Sequence, residues 1–155
     1  GETLREVVKT YSHDGQEAKS PFGATLILGG QIHGSDPRLF LIYPAGNFIE
    51  ASDDSPFFQS GETKYGRPIL VRAFDPDMSF ENAVKLLLVS FDSTIRANLA
   101  VDLPLDMQIY EANSFTITQQ QRVEKDDPYF QTISEGWGVA LKNAFQSLPD
   151  FSFKD

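Results

Sequence analysis

Residues 22–51 read FGATLILGGQIHGSDPRLFLIYPAGNFIEA, and this run decides the fold. Phe22–Ile32 is nearly continuous in apolar character, the pattern of a buried strand, with Gly29-Gly30 permitting a bulge or a close backbone approach. His33–Pro37 is a turn and Arg38–Tyr43 a second strand. Pro44-Ala45-Gly46-Asn47 is another turn and Phe48–Ala51 a third, shorter strand. Three strands at hairpin spacing predict an antiparallel meander.

On the C-terminal side, Ser52–Ser55 is an acidic loop and Pro56–Gly66 a segment with glycine on either side of a polar centre. Arg67–Phe74 carries an apolar patch at Ile69–Val71 but no periodicity that assigns an element. Phe80–Arg96 is the clearest helix. Ser79 is placed to cap it, Glu81 suits its N-terminal dipole, and Phe80, Ala83, Val84, Leu87, Leu88, Phe91 and Ile95 share one face. Leu86 and Val89 widen that face, so the helix is expected to be well buried. Leu105–Tyr110 alternates like a strand, and Phe115–Ile117 is a candidate for another. Gln119–Gln121 is a short polar tract and Val123–Pro128 is charged. Tyr129–Phe145 is helical in spacing through Phe130, Ile133, Trp137, Leu141 and Phe145, with Gly136 and Gly138 each weakening it by up to ~1 kcal/mol. On the N-terminal side, Leu4, Val7, Val8 and Tyr11 predict a helix, and His13–Pro21 reads as a loop. No internal repeat or domain-sized linker interrupts the chain, so residues 1–155 are read as a single α+β domain, a mostly antiparallel sheet covered by helices.

Composition narrows the function. The 155 residues are 41% hydrophobic and 23% charged, ordinary for a globular protein. The formal net charge is −9, which repels phosphate backbones and argues against nucleic-acid binding. The absence of cysteine removes disulfides, thiol nucleophiles and thiolate metal sites. Apolar stretches such as Leu39–Tyr43 and Leu86–Val89 fall far short of the ~20 residues of a transmembrane helix. The opening Gly1-Glu2-Thr3-Leu4-Arg5 is charged and is not expected to act as a signal peptide.

Few side chains announce chemistry. His13 and His33 sit in loops and read as solvated rather than as catalytic bases. The pairs Asp53/Asp54, Asp75/Asp77 and Asp126/Asp127 lack the spacing of a cation loop, so neither a metal nor a cofactor is expected. Gly61-Glu62-Thr63-Lys64-Tyr65-Gly66 sets a carboxylate, a hydroxyl, an ammonium and a phenol between two glycines. Such a loop either aims several polar groups at one point or is an exposed turn with a Glu–Lys pair; polar turns being common, the second reading is favoured. Trp137 with Phe145, Phe151 and Phe153 either offers an aromatic patch to a partner or belongs to a helix packed on its own sheet, the latter favoured by the helical spacing.

The order of FGATLILGGQI, RLFLIYPAGNFIEA and FFQSGETKYGRPIL resembles the proteasome β-type fold, in which a core strand precedes a hairpin and then a Gly-centred loop leading into a helix. The finer resemblance is to the Anbu family of bacterial proteasome-like peptidases. SFENAVKLLLVSFDSTIRANLAVDLPLD and the C-terminal DDPYF…W…AL…AF…LP also fit that family, so the resemblance runs from about Phe22 to about Pro149. It implies a four-layer αββα sandwich of the N-terminal-nucleophile hydrolase type. It also implies a cytoplasmic threonine peptidase acting on peptides or unfolded protein, self-associated into a ring-like or helical homo-oligomer, with no membrane or nucleic-acid partner. In such enzymes an N-terminal Thr hydroxyl attacks the peptide carbonyl, its own amine serving as base, with a nearby Lys and Asp in support.

Position 1 is Gly, and the residues before Phe22 do not supply the strand pair that carries nucleophile, Asp and Lys in that family. The chain therefore resembles the C-terminal two-thirds of such a subunit, partial in its sandwich, with no catalytic residue of its own expected. Two supporting positions carry over. Glu62 stands where a Ser follows the loop glycine, and Asn98 (or Ala97, one residue earlier) where an Asp follows the long helix. Ala100 falls where a Ser would bond the Thr amine, which an alanine side chain cannot do. The alternative the resemblance leaves open is a non-catalytic assembly or binding scaffold of the same fold.

Overall fold

A computed structural model describes Glu6 and residues 24–154 of the chain. The helix expected over Leu4–Tyr11 (apart from Glu6, which is helical), the His13–Pro21 loop with His13, and the start of the Phe22–Ile32 strand lie outside the described residues. The chain divides into two compact units, Gly1–Gly61 with Tyr110–Thr118, and Glu62–Ile109 with Gln119–Asp155.

The first unit holds the meander. Strands β1 (Leu26–Gly30), β2 (Arg38–Ile42) and β3 (Phe48–Glu50) lie in that order, both pairs antiparallel, with Leu28 opposite Phe40 and Leu41 opposite Ile49. The β2–β3 turn closes because Gly46 takes a φ of +83° and donates its N–H to the Tyr43 carbonyl at 2.8 Å. One expectation fails here. β1 is not buried: Leu26, Ile27 and Leu28 are 44, 43 and 57% exposed, and Leu41 of β2 is the buried apolar residue of the three strands. A continuous apolar run expresses a tendency to two-sided burial. Among the described residues, however, β1 is an edge strand, and its own unit contains no helix between residues 24 and 154 to cover it.

Gln31 ties the Tyr110–Thr118 segment to this unit. Its amide nitrogen donates to the Ser35 carbonyl (2.7 Å) and Asn113 Oδ1 (2.9 Å). Its oxygen accepts from the Tyr110 hydroxyl (2.9 Å) and the Asn113 N–H (2.7 Å). All four hydrogen-bonding positions of the side chain are thus used. They hold a loop in which Asn113 and Phe115 adopt positive φ and Phe115 stacks on His33 with centroids 5.4 Å apart.

The second unit contains helices α1 (Arg67–Ala73), α2 (Phe80–Ala97) and α3 (Pro128–Gln146), strand β4 (Leu105–Tyr110, all but its last residue), and most of β5 (Ile117–Val123), which pairs with β4. Ser79 caps α2 by accepting the Asn82 N–H at 3.3 Å, as its position predicts. Asp127 caps α3 through the Phe130 N–H at 2.9 Å, with Pro128 in the first turn. Leu88, Val123 and Phe130 form the core, with Val84, Ile95, Leu103, Leu105 and Ile133 against them. Arg96 joins two helices: its Nε lies 3.2 Å from the buried Asp92 carboxylate one turn earlier in α2, and its terminal nitrogen donates to the Ser134 hydroxyl of α3 at 2.6 Å.

Three readings change. α2 is buried along Leu88, Val89, Ser90, Asp92 and Thr94, while Phe80, Leu87 and Phe91 of the expected face are 41–48% exposed. The helix turns a partly polar strip inward, for a reason that lies in the loop before α1. β5 runs through the glutamine tract instead of ending at Ile117, because in a two-stranded ribbon only Val123 is buried and no alternation marks the strand. The favoured reading of a helix packed on its own sheet holds only at the start of α3, where Phe130 meets Val123 of β5; otherwise α3 packs on α2, and Leu141 and Phe145 are 50 and 76% exposed.

Candidate functional site

Gly61 turns the chain with a φ of +84° and delivers Glu62 to the entry of the polar loop. One Glu62 oxygen accepts the Lys64 backbone N–H at 2.8 Å, and the other accepts the Asn98 carboxamide at 3.1 Å. Asn98 ends α2: its own N–H donates to the Thr94 carbonyl at 2.9 Å. Its side-chain oxygen accepts the Ala100 N–H, also at 2.9 Å. The two carried-over positions, Glu62 and Asn98, are therefore in direct contact, and Asn98 links the Glu62 loop to the backbone of the loop after α2.

A close helix approach keeps the two loops together. A Cβ on Gly66 would sit 2.3 Å from Ser90 Oγ, 3.0 Å from the Ser90 carbonyl and 3.1 Å from Thr94 Oγ1. Only glycine lets the start of α1 lie this close to α2. This is also why α2 buries Ser90 and Thr94 where an apolar face was expected: small side chains are needed opposite the glycine. Thr94 satisfies its hydroxyl by donating to the Ser90 carbonyl at 2.9 Å.

The electrostatics follow. The Lys64 N–H holds the Glu62 carboxyl below its usual range, and the Asn98 amide, the Lys64 charge and the Thr63 N–H add to this while desolvation opposes it. Glu62 is thus a carboxylate at neutral pH. It can orient donors and stabilise nearby positive charge, but it has no proton to give. The favoured reading of a Glu–Lys ion pair is replaced: among the described residues the Glu62 carboxylate is bonded to a backbone N–H and to Asn98, not to the Lys64 ammonium.

The other candidates serve locally. His33 stacks on Phe115 in the first unit. Asp75 accepts the Asp77 N–H at 2.9 Å, and Asp127 caps α3. Among the described residues no three His, Asp or Glu side chains gather to hold a metal, and no helix is long and apolar enough to cross a membrane. Trp137 lines an apolar cavity of about 480 Å³ with Ile69, Leu86, Val89 and Ile133. Sequence reasoning missed a second concavity, about 400 Å³, lined by Thr63, Lys64, Arg67, Pro68, Val71 and Arg72. Its signal was present: KYGRPILVR, residues 64–72, holds three cations and no carboxylate in a strongly acidic chain.

The order of hairpin, Gly-centred loop and helix along the chain is the one a proteasome-type subunit has. A family model described as proteasome subunit matches residues 2–102, and the chain belongs to that family. Within it, the chain is similar to Anbu. Three solved structures carry the likeness: the Gly-1 mutant of Anbu from Hyphomicrobium sp. strain MC1 (47% identity, TM-score 0.89, 99% of this chain and 61% of that one), Anbu, described as an ancestral β-subunit, from Yersinia bercovieri (47%, 0.86, 98% and 62%), and the helical assembly of the Anbu complex from Pseudomonas aeruginosa (43%, 0.89, 97% and 62%). The chain spans about three-fifths of the length of these relatives. A comparison with curated proteins gave no match.

Proposed function

We propose that the chain is part of a proteasome-like threonine peptidase subunit that hydrolyses peptide bonds through an N-terminal threonine of the whole subunit. The observation that carries this reading is the Asn98–Glu62 hydrogen bond, which joins the two loops that the family resemblance sets beside the nucleophile. In this reading an ionised Glu62 and the Asn98 amide are supporting groups, keeping the loop after Gly61 and the backbone around Ala100 in fixed positions around the threonine amine. Backbone N–H groups of such loops stabilise the oxyanion of the acyl-enzyme step. The reading includes a single αββα four-layer domain in the complete subunit, a cytoplasmic setting compatible with the lack of cysteine, and a ring-like or helical homo-oligomer acting on peptide or unfolded protein.

One observation favours a second reading, a non-catalytic scaffold. Ala100 has no hydroxyl to offer the threonine amine, and its N–H is already taken by Asn98. Turnover of a fluorogenic peptide by the complete subunit, and its loss when the N-terminal threonine is changed to alanine, separates the two. The peptidase reading expects turnover of the parent protein and none from the variant. No turnover, or turnover indifferent to that threonine, removes the reading.

A further inference from the structure

We infer that the concavity formed by Thr63, Lys64, Arg67, Pro68, Val71 and Arg72 is a recognition groove for the carboxylate side chain of an acidic peptide segment. The chain carries a net charge of −9, yet three cations and no carboxylate line this one concavity of about 400 Å³. Ion pairs among the described residues join Arg38 to Glu50, Arg96 to Asp92, Arg122 to Asp106 and Glu124, and Lys125 to Asp102. The Lys64 ammonium and the Arg72 guanidinium have no such partner among the described residues. The nearest acidic side chain in sequence, Glu62, is committed to the Lys64 N–H and to Asn98. The groove thus gathers three cations, with the Lys64 charge also felt by the neighbouring Glu62 carboxylate, in an otherwise repulsive field, and such a cluster concentrates and orients anions.

Its walls select among anions. Pro68 and the 63%-exposed Val71 give an apolar surface beside the cations, and Thr63 adds a hydroxyl. A glutamate or aspartate side chain matches that combination, laying its methylenes on Pro68 and Val71 while its oxygens meet Lys64, Arg67 and Arg72. A bare phosphate has no apolar part to use there. Lys64 belongs to both features, since its backbone N–H holds Glu62 while its side chain lines the groove. The inference therefore rests on the peptidase reading for its consequence, a substrate preference for acidic residues, but not for the binding itself.

The test is binding of a dye-labelled acetyl-tetraglutamate peptide to the complete protein at low salt, with tetraglutamine, tetralysine and inorganic phosphate as comparisons, in the parent protein and in Arg72→Gln, Lys64→Gln and Arg72→Lys. The inference expects the glutamate peptide to bind best, and binding to fall roughly threefold to tenfold for each cation neutralised. It also expects Arg72→Lys to retain most of the affinity and added salt to weaken it. Equal binding of glutamine peptide, displacement by phosphate as effective as by glutamate, affinity unchanged in both neutralised variants, or no binding would each overturn it. Acylation of the N-terminal threonine, measured on the parent protein, keeps the two ideas apart: no glutamate-peptide binding with acylation intact removes the groove alone, and no acylation with binding intact removes the peptidase alone.

Discussion

Gly66 has an ordinary φ of −87°, so its role is not conformational freedom but the space it leaves against Ser90 and Thr94. Gly66→Ala drives a methyl group to within 2.3 Å of the Ser90 hydroxyl, and overpacking of this kind costs about 1–3 kcal/mol. We expect a lower urea midpoint for the variant, partly restored in the Gly66→Ala/Ser90→Ala double variant, because the nearest clashing atom is then gone. Glu62 makes a different prediction. Its folded-state pKa lies below the ordinary 4.5, so its stabilising contribution is complete above that value and is lost as the pH falls through the folded-state pKa. Stability measured against pH for the parent and Glu62→Gln should therefore differ most at neutral pH and converge in acid. A constant difference down to strongly acidic pH would mean the carboxylate charge is not what the Lys64 N–H and Asn98 hold.

At the scale of elements, the caps and the meander were legible because local chemistry decides them: Ser79 before a long apolar period, and Gly46 in a tight turn. α1 was not legible from periodicity. Seven residues give too short a window, and its clue was Pro68 one residue inside the start after Gly66, together with the family resemblance. The inward face of α2 was misread because hydrophobicity says which residues prefer burial, while the close approach of Gly66 dictates which small residues must be buried. The Glu62 and Asn98 positions came from the resemblance, and no sequence spacing could reveal their contact across 36 residues. The two ends of α3 offer a contrast to measure. Phe130 is 7% exposed in the core with Leu88 and Val123, so Phe130→Ala should cost about 3–5 kcal/mol in chemical denaturation. Phe145 is 76% exposed, and Phe145→Ala in the isolated chain should stay within about 0.5 kcal/mol of the parent.

At the scale of the whole molecule, exposed apolar surface on β1, on the second half of α3 and at Phe151 and Phe153 is more than isolated surface residues usually present. The rest of the complete subunit and other copies of it are both available to cover this surface, and the proposed self-association needs its own test. Native mass spectrometry of the complete subunit should give a multi-subunit assembly, and a strictly monomeric species at micromolar concentration would count against that part of the proposal. The central claim is chemical, however: the Glu62–Asn98 pair supports an N-terminal threonine nucleophile. Its most direct test is the intact mass of the complete subunit after incubation with a Thr-directed electrophile, followed over time for the parent and for Glu62→Gln. The account predicts one adduct per subunit, on the N-terminal threonine, formed more slowly in the variant. No adduct on the parent protein, or one on another residue, would contradict it.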